Sequence, residues 1–194
     1  MEKNEFINVK LELDKKFLKF YTAKYRTNGK NRDYYFVSRN DTDNLALVSG
    51  KIKPTAIEAF TYLGNRVIMI EEFRSAIGKK FYSFTAGLIE DSEDVKEAIK
   101  REIYEEIGGK VKNIELLQNY PMAICAGLTD EANYFAIVEL ESLGKQHLEE
   151  TEDIKVKEFE VEELEKLIKH NKLPLTASGY FGAMMVINKI KNKQ

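Results

Sequence analysis

The first part of the chain alternates between apolar and polar positions in the manner of β-strands. Residues 17–25 and 34–38 are rich in aromatic and β-branched side chains, which favour a pleated strand. Between them, Thr27-Asn28-Gly29-Lys30 has the residue types that form tight turns, because Asn and Gly accept positive φ angles. The pattern therefore predicts a hairpin within residues 16–40.

A second pair of strands is predicted at residues 55–63 and 66–73, joined by Gly64-Asn65. Residues 67–70 of the second strand, Val-Ile-Met-Ile, are all apolar. A strand with one face in water would alternate between apolar and polar residues. The run therefore predicts a strand that is covered on both faces.

Helices dominate the pattern later in the chain. A helix is predicted at residues 94–107, and Gly108-Gly109 after it has the chemistry of a helix C-cap. Further strands are predicted at 111–120 and 133–140, and further helices near 161–171 and 177–191. Strands first and helices later indicate an α+β protein whose sheet packs between helices.

Composition argues against several classes of function. Of the 194 residues, 43% are hydrophobic and 32% charged, which suits one globular domain with a small extra lobe. The net charge of −2 argues against nucleic-acid or membrane-surface partners. No stretch approaches the about 18 apolar residues of a membrane span. The N-terminus is too polar for a signal peptide and the single cysteine, Cys125, allows no internal disulfide, so a cytoplasmic location is expected.

Glutamates interrupt the apolar face of the helix predicted at residues 94–107. At about 100° per residue, one broad stripe contains the following apolar side chains: Val95, Ala98, Ile99, Ile103 and Ile107. Glu102 and Glu106, four residues apart, fall within this stripe, and Glu105 lies at its edge. Burying an unpaired carboxylate is costly, and two adjacent carboxylates also repel each other.

A positive partner is therefore expected at these carboxylates. Arg101 can reach Glu105 one turn along the helix, but it is predicted to point away from the Glu102–Glu106 pair. A hard divalent cation, which prefers carboxylate oxygens, is then the simplest partner. The alternative is a solvated acidic helix with a narrower apolar stripe. An EF-hand loop is rejected, because its sixth position would be Lys96 rather than glycine.

The same segment resembles the Nudix box, the signature of a family of hydrolases that cut diphosphate linkages. The matching positions, at the family's spacing, are Gly87, Glu93, Arg101-Glu102-Ile103, Glu105-Glu106 and Gly108. The box covers residues 87–109, and the order of the flanking elements extends a weaker similarity over most of the chain. At the last box position the family prefers an aliphatic residue, whereas this chain has Gly109.

The resemblance implies a Nudix-type α/β/α sandwich with a mixed β-sheet over residues 51–194. Residues 1–50 are similar to a small N-terminal β-lobe that mediates dimerisation in one branch of the family. A homodimer is therefore expected, with a small nucleotide diphosphate as the substrate and with neither nucleic acid nor membrane as a partner.

The resemblance also implies a site that holds Mg²⁺ or Mn²⁺ against a diphosphate. It assigns Glu102 and Glu106 as metal ligands, and Glu105 as a ligand of a further ion or of its waters. The backbone carbonyl of Ala86 completes the set in relatives. Bridging cations are needed because a carboxylate cluster and a diphosphate otherwise repel each other.

The other box residues are expected to support this site. Arg101 should orient the neighbouring glutamates and so take part in catalysis with Glu105. Glu93 supports the loop or a further ion, or else it caps the start of the helix. Gly87 is expected to lie against the substrate, and Gly108 has a structural role.

Flanking residues resemble the branch that acts on ADP-ribose and nucleoside diphosphate sugars. Residues 70–74, Ile-Glu-Glu-Phe-Arg, are similar to a strand end whose arginine meets substrate phosphate, although Arg74 could be a plain surface residue. Residues 126–131 resemble a loop that presents a glutamate to the attacking water. Glu131 is thus the candidate general base; the alternatives are a metal ligand or an exposed loop acid.

Two departures weaken the identification of that branch. Relatives often read E-L-P-A-G before the box, where this chain has S-F-T-A-G at residues 83–87, and Ala126 replaces a proline. The leading hypothesis is a dimeric, magnesium-dependent hydrolase that converts ADP-ribose or a related sugar nucleotide to a nucleoside monophosphate and a sugar phosphate. The alternatives are another substrate (a nucleoside triphosphate, a dinucleoside polyphosphate or coenzyme A) or a non-catalytic nucleotide sensor.

Overall fold

A computed structural model of the chain describes residues 4–193, so the outer limits of the two predicted domains, at residues 1–3 and 194, lie outside it. The described residues form two compact units. The first contains the residues up to 55 together with 120–133, and the second contains 56–119 and the residues from 134 onward. The domain boundary at residue 50 stays a prediction.

The first unit is built on a three-stranded antiparallel sheet. Its strands are β1 (Asn4–Asp14), β2 (Lys19–Thr27) and β3 (Lys30–Ser38), in the order β1-β2-β3. The predicted hairpin is confirmed as β2–β3, and both turn residues, Asn28 and Gly29, have positive φ as the sequence of the turn requires. Strand β1 was not predicted, although apolar and charged residues alternate along it.

Short helices and a small core complete the strands of the first unit. A 3-10 turn at Thr42–Asn44 leads into α1 (Ala46–Ser49). The core consists of Tyr21, Ala23, Phe36 and Leu45. The rings of Tyr21 and Phe36 stack with their centroids 5.4 Å apart.

The chain after residue 55 forms a larger sheet with helices on both faces. Its elements are β4 (Ala56–Leu63), β5 (Arg66–Arg74), β6 (Lys79–Ser83), β7 (Thr85–Leu88), α2 (Val95–Ile107), β8 (Lys110–Leu116), β9 (Met122–Ala123), β10 (Ala132–Ser142), β11 (Ile154–Glu160), α3 (Val161–Lys169) and α4 (Ala177–Lys191). The strand order is β11-β5-β4-β10-β8, with β6 on β5, β7 on β4 and β9 on β10. The predicted α+β class is confirmed.

Strand β5 shows why the second unit is a sandwich. Val67 and Met69 are buried in a core with α3 and α4, whereas Ile68 and Ile70 are buried in a second core with α2. Alternate side chains of one strand thus enter two different cores, and the predicted covering of both faces is confirmed. None of the helices among residues 4–193 is long and apolar enough to cross a membrane.

Helix α2 begins and ends where its sequence predicts. The side chain of Asp94 accepts a hydrogen bond from the backbone N–H of Lys96 and so caps the first turn. At the other end Gly108 adopts φ +62°, which a residue with a Cβ rarely does. A Cβ on Gly109 would lie 2.6 Å from Cγ2 of Ile103, so a larger residue at this position would require Ile103 to shift.

Candidate functional site

The three candidate metal-binding glutamates of α2 differ in burial as the helical pattern predicts. Glu106 is 5% exposed, the side chain of Glu102 is 12% exposed, and that of Glu105 is 42% exposed. The carboxylate of Glu106 accepts a hydrogen bond of 3.3 Å from the backbone N–H of Ala86 in β7. Among residues 4–193 it forms no ion pair with a Lys, Arg or His.

This burial disfavours the charged form of both inner carboxylates. Burial, reinforced by the negative charges of Glu102, Glu72 and Glu152, raises the pKa of Glu106 to about 9. Burial also raises the pKa of Glu102, against the opposing effect of Arg101. Without a further cation, the Glu106 side chain therefore retains its proton at neutral pH.

Strand β7 lets the Glu102 carboxylate approach the backbone of the box glycine. β7 pairs with β4 so that Ala86 lies opposite Glu58 and Gly87 lies opposite Ile57. A Cβ added to Gly87 would lie 1.9 Å from Cδ of Glu102. Only glycine leaves room for the carboxylate in this position, which gives Gly87 a steric role in the site.

Arg101 connects the helix to the loop before it. Its guanidinium donates to both carboxylate oxygens of Glu93 (2.9 and 3.0 Å), to Glu102 (2.6 Å), to Glu105 (3.3 Å) and to the backbone oxygen of Leu88 (2.9 Å). The prediction that Arg101 points away from Glu102 is therefore wrong. Successive Cβ atoms of a helix do diverge, but the long arginine side chain folds back far enough to reach its neighbour.

Glu93 fastens the loop that leads into α2. Its carboxylate accepts a hydrogen bond of 3.0 Å from the backbone N–H of Glu90 as well as those from Arg101. The hydrogen bonds from the Arg101 guanidinium contribute most to holding the pKa of Glu93 below its usual value. The helix cap is Asp94 rather than Glu93, so the geometry favours the loop-supporting role among the alternatives for Glu93.

A second group of charged side chains lies at the end of β5. Nη2 of Arg74 lies 2.7 Å from Oε2 of Glu72 and 3.5 Å from Oγ of Ser83. Burial raises the pKa of Glu72 and of Glu58, and Arg74 opposes both shifts. Because Glu72 in turn raises the pKa of Glu106, this group and the helix carboxylates form one electrostatic cluster.

Sequence reasoning missed Glu58 and Glu72 as members of this cluster. Glu58 is 7% exposed and stands in the otherwise apolar run Ala56-Ile57-Glu58-Ala59-Phe60. A carboxylate in a strand covered on both faces is itself a signal of a functional or paired group. That signal could have identified Glu58 before the fold was known.

The loop between β10 and β11, residues 143–153, adds another acidic residue that the sequence analysis did not single out. Glu152 in this loop raises the pKa of Glu102, Glu106 and Glu72 through its charge. It stands two residues before Ile154, which pairs with Glu72. Glu152 is thus a further carboxylate beside the candidate site.

The carboxylates at this site are the oxygen ligands that a hard divalent cation prefers, but they do not form a preformed coordination site. Within residues 4–193, no three His, Cys, Asp or Glu side chains are arranged to hold a metal ion. The Glu102 carboxylate is occupied by Arg101, and Glu106 is in its neutral form. A cation would supply the missing positive charge to these oxygen ligands, and it would have to displace the Glu106 proton.

Glu131 belongs to the first unit, where its carboxylate is ion-paired. Its Oε1 lies 2.5 Å from Nε of Arg39, and its backbone N–H donates to Oγ1 of Thr129. The neighbouring Asp130 accepts from the Asn40 side chain at 3.3 Å. Sequence reasoning missed Arg39, which is far away along the chain and shares no motif with the loop.

Comparisons with known proteins agree with this description of the fold. The family model of the NUDIX domain matches residues 52–178. The fold is also similar to that in the "Crystal structure of ADP compounds hydrolase", with a TM-score of 0.72 and 20% sequence identity over 100% of this chain and 97% of that chain. At this identity the likeness shows the fold alone. No curated protein matches the chain by sequence.

Proposed function

Since the chain belongs to the Nudix family, whose hydrolases cut diphosphate linkages, we propose that its substrate is ADP-ribose or a related nucleoside diphosphate sugar. The products are a nucleoside monophosphate and a sugar phosphate. The protein of similar fold is described as an ADP compounds hydrolase, which agrees with an ADP-containing substrate. Mg²⁺ or Mn²⁺ is the proposed cofactor.

The observation that carries the metal-dependent part of this proposal is the buried carboxyl of Glu106. It lies on the largely apolar face of α2, and burial together with neighbouring carboxylates raises its pKa to about 9. A leucine at this position would pack without that cost, so the carboxyl needs a functional reason. When bound, a divalent ion supplies a compensating charge, neutralises diphosphate oxygens and makes water more acidic.

The chain's own residues have distinct tasks in this proposal. Glu102 and Glu106 hold the cation with the backbone carbonyl of Ala86, and Glu105 serves a further ion or its waters. Arg101 holds Glu102 in place before the cation binds. Arg74, whose side chain is 40% exposed beside its ion pair with Glu72, binds the negatively charged substrate.

Two carboxylates are candidates for accepting the proton of the attacking water. Glu131 is the sequence-based candidate, and its carboxylate forms an ion pair with Arg39. Glu152 is the second candidate, because its charge acts on Glu102 and Glu106. Replacing each by glutamine separates the two assignments.

The first unit supports the proposed homodimer. Its β1–β3 sheet and the connection after β1 expose the following apolar side chains: Phe6, Ile7, Leu11, Leu13, Phe17, Leu18, Phe20 and Tyr35. Monomeric proteins rarely leave such a set of apolar side chains in water, and β1 is also an unpaired sheet edge. A mass of one chain by light scattering at all concentrations would contradict the dimer.

A product assay over a panel of nucleotides tests the proposed function. The panel contains ADP-ribose, sugar nucleotides, nucleoside triphosphates, dinucleoside polyphosphates and coenzyme A, each with Mg²⁺ and with EDTA. We expect the highest kcat/KM for ADP-ribose or a sugar nucleotide and no turnover in EDTA. A higher value for another substrate would replace the proposed one, and tight nucleotide binding without any hydrolysis would favour the sensor.

A further inference from the structure

The C-terminal end of α2 depends on a distant loop for its hydrogen bonds. The last four carbonyls of any helix lack partners within the helix. Here the backbone N–H of Gly108 satisfies the carbonyl of Tyr104 (3.1 Å), and that of Gly109 donates to the carbonyl of Ile103 (3.0 Å). The carbonyls of the metal-ligand candidates Glu105 and Glu106 are satisfied by the loop at residues 143–153.

This loop, residues 143–153, is called the acidic loop below. The backbone N–H of His147 donates to the Glu105 carbonyl at 2.7 Å. The side-chain amide of Gln146 donates to the Glu106 carbonyl at 2.6 Å and to the Ile154 carbonyl at 3.3 Å. One amide group therefore ties α2 to the start of β11.

Ring packing and a close backbone approach reinforce this attachment. The rings of His147 and Tyr104 stack with their centroids 4.3 Å apart and their planes 14° from parallel. A Cβ on Gly108 would lie 2.5 Å from the backbone oxygen of Lys145 and 2.6 Å from the backbone of Gly144. The box glycine therefore admits the acidic loop as well as ending the helix.

The other end of the acidic loop is also held. Asp153 forms a salt bridge of 2.7 Å with Lys80, and Ile154 pairs with Glu72 across β11 and β5. Between the two attachments, the Glu152 carboxylate accepts a hydrogen bond of 2.9 Å from the backbone N–H of Glu149. This turn fixes the direction of the Glu152 side chain within the loop.

We propose that Gln146 is a positioning residue, which docks the acidic loop on the end of α2 and thereby places Glu152 beside the carboxylates of that helix. This inference rests on the proposed function, because the position of Glu152 matters only if the site hydrolyses a diphosphate. Gln146 touches neither substrate nor metal. Its effect on the reaction passes through Glu152.

A double-mutant cycle on kcat tests this role. Gln146→Ala removes both side-chain hydrogen bonds, and Gln146→Met removes the donor while it keeps the length of the side chain. Since a small displacement of a reacting group is costly, we expect either change to lower kcat about 10- to 100-fold with KM changed less than about twofold. In a Glu152→Gln background the same changes should lower kcat less than about twofold. Gln118→Ala, at an exposed glutamine, is the matched control.

The outcomes separate this inference from the proposed function. Equal losses in the wild-type and Glu152→Gln backgrounds would mean that Gln146 acts independently of Glu152 and would overturn the inference, and an unchanged kcat in both Gln146 variants would remove its role altogether. A Glu152→Gln variant with full activity would likewise overturn the inference, while the proposed function would stand. A wild-type protein that hydrolyses no nucleotide of the panel would overturn both.

Discussion

Replacing Glu106 by glutamine should stabilise the metal-free protein, although it abolishes the proposed activity. The substitution keeps the shape of the side chain and removes its acidic proton. In the metal-free fold this carboxyl has a pKa of about 9, against an ordinary value of 4.5 that it regains on unfolding. Between these two pH values the folded state binds more protons than the unfolded state.

The sign and size of the effect follow from this difference in protonation. The free energy of unfolding falls as pH rises wherever the folded state holds the extra proton. From the pKa of 4.5 to pH 7 the loss at Glu106 amounts to about 3 kcal/mol, at about 1.4 kcal/mol per pH unit. Glutamine does not titrate, so Glu106→Gln should exceed the wild type in stability by about that amount at pH 7 and hardly at all at pH 4.5.

Urea unfolding in EDTA at several pH values measures this difference. Glu97→Gln is a suitable control, because Glu97 is an exposed glutamate on the same helix and its loss should change stability by less than about 0.5 kcal/mol. With Mg²⁺ at about 100 times its Kd, the wild type should gain about 2.7 kcal/mol and Glu106→Gln much less.

A particular result would refute this reasoning. If wild type and Glu106→Gln lose stability in parallel as pH rises in EDTA, then Glu106 is already ionised in the metal-free fold. Its charge would then be compensated by the protein itself, and the main physical argument for a bound cation would fail.

Four other substitutions test the site. Gly87→Ala should displace the Glu102 carboxylate, since its Cβ would lie 1.9 Å from that group, and lower kcat about 100-fold; unchanged kinetics would exclude a role for this close approach. Arg101→Lys cannot reproduce the guanidinium contacts and should reduce Mg²⁺ affinity or activity about 10- to 100-fold by titration calorimetry and initial rates. If Glu131 or Glu152 is the general base, its replacement by glutamine should lower kcat about 100-fold or more and flatten the acid limb of the pH–rate profile. The glutamine variant of the other residue should keep that limb.

Features set by neighbouring residues could be predicted from the sequence. The burial order of Glu102, Glu105 and Glu106 follows from the geometry of one helix, and the C-cap at Gly108 follows from the local backbone. The covering of residues 67–70 on both faces could also be inferred, because an unbroken apolar run leaves no polar face for water.

Features set by strand register could not be predicted in the same way. Glu58 lies opposite Ala86, and Glu72 lies opposite Ile154, only because particular strands pair in a particular register. The docking of the acidic loop on α2 likewise joins Gln146 to a carbonyl 40 residues away. No local pattern encodes such contacts, so the sequence located the carboxylates of the box but not their neighbours.

Proton release on metal binding tests the central claim most directly. Mg²⁺ is titrated into the protein at pH 7.5 by calorimetry, in buffers that differ in their enthalpy of ionisation. Because the Glu106 carboxyl has a pKa of about 9 before the ion binds, wild type should release at least about one proton per site, and Glu106→Gln should release fewer. Binding heats that are equal in every buffer, or the absence of Mg²⁺ binding, would contradict the claim.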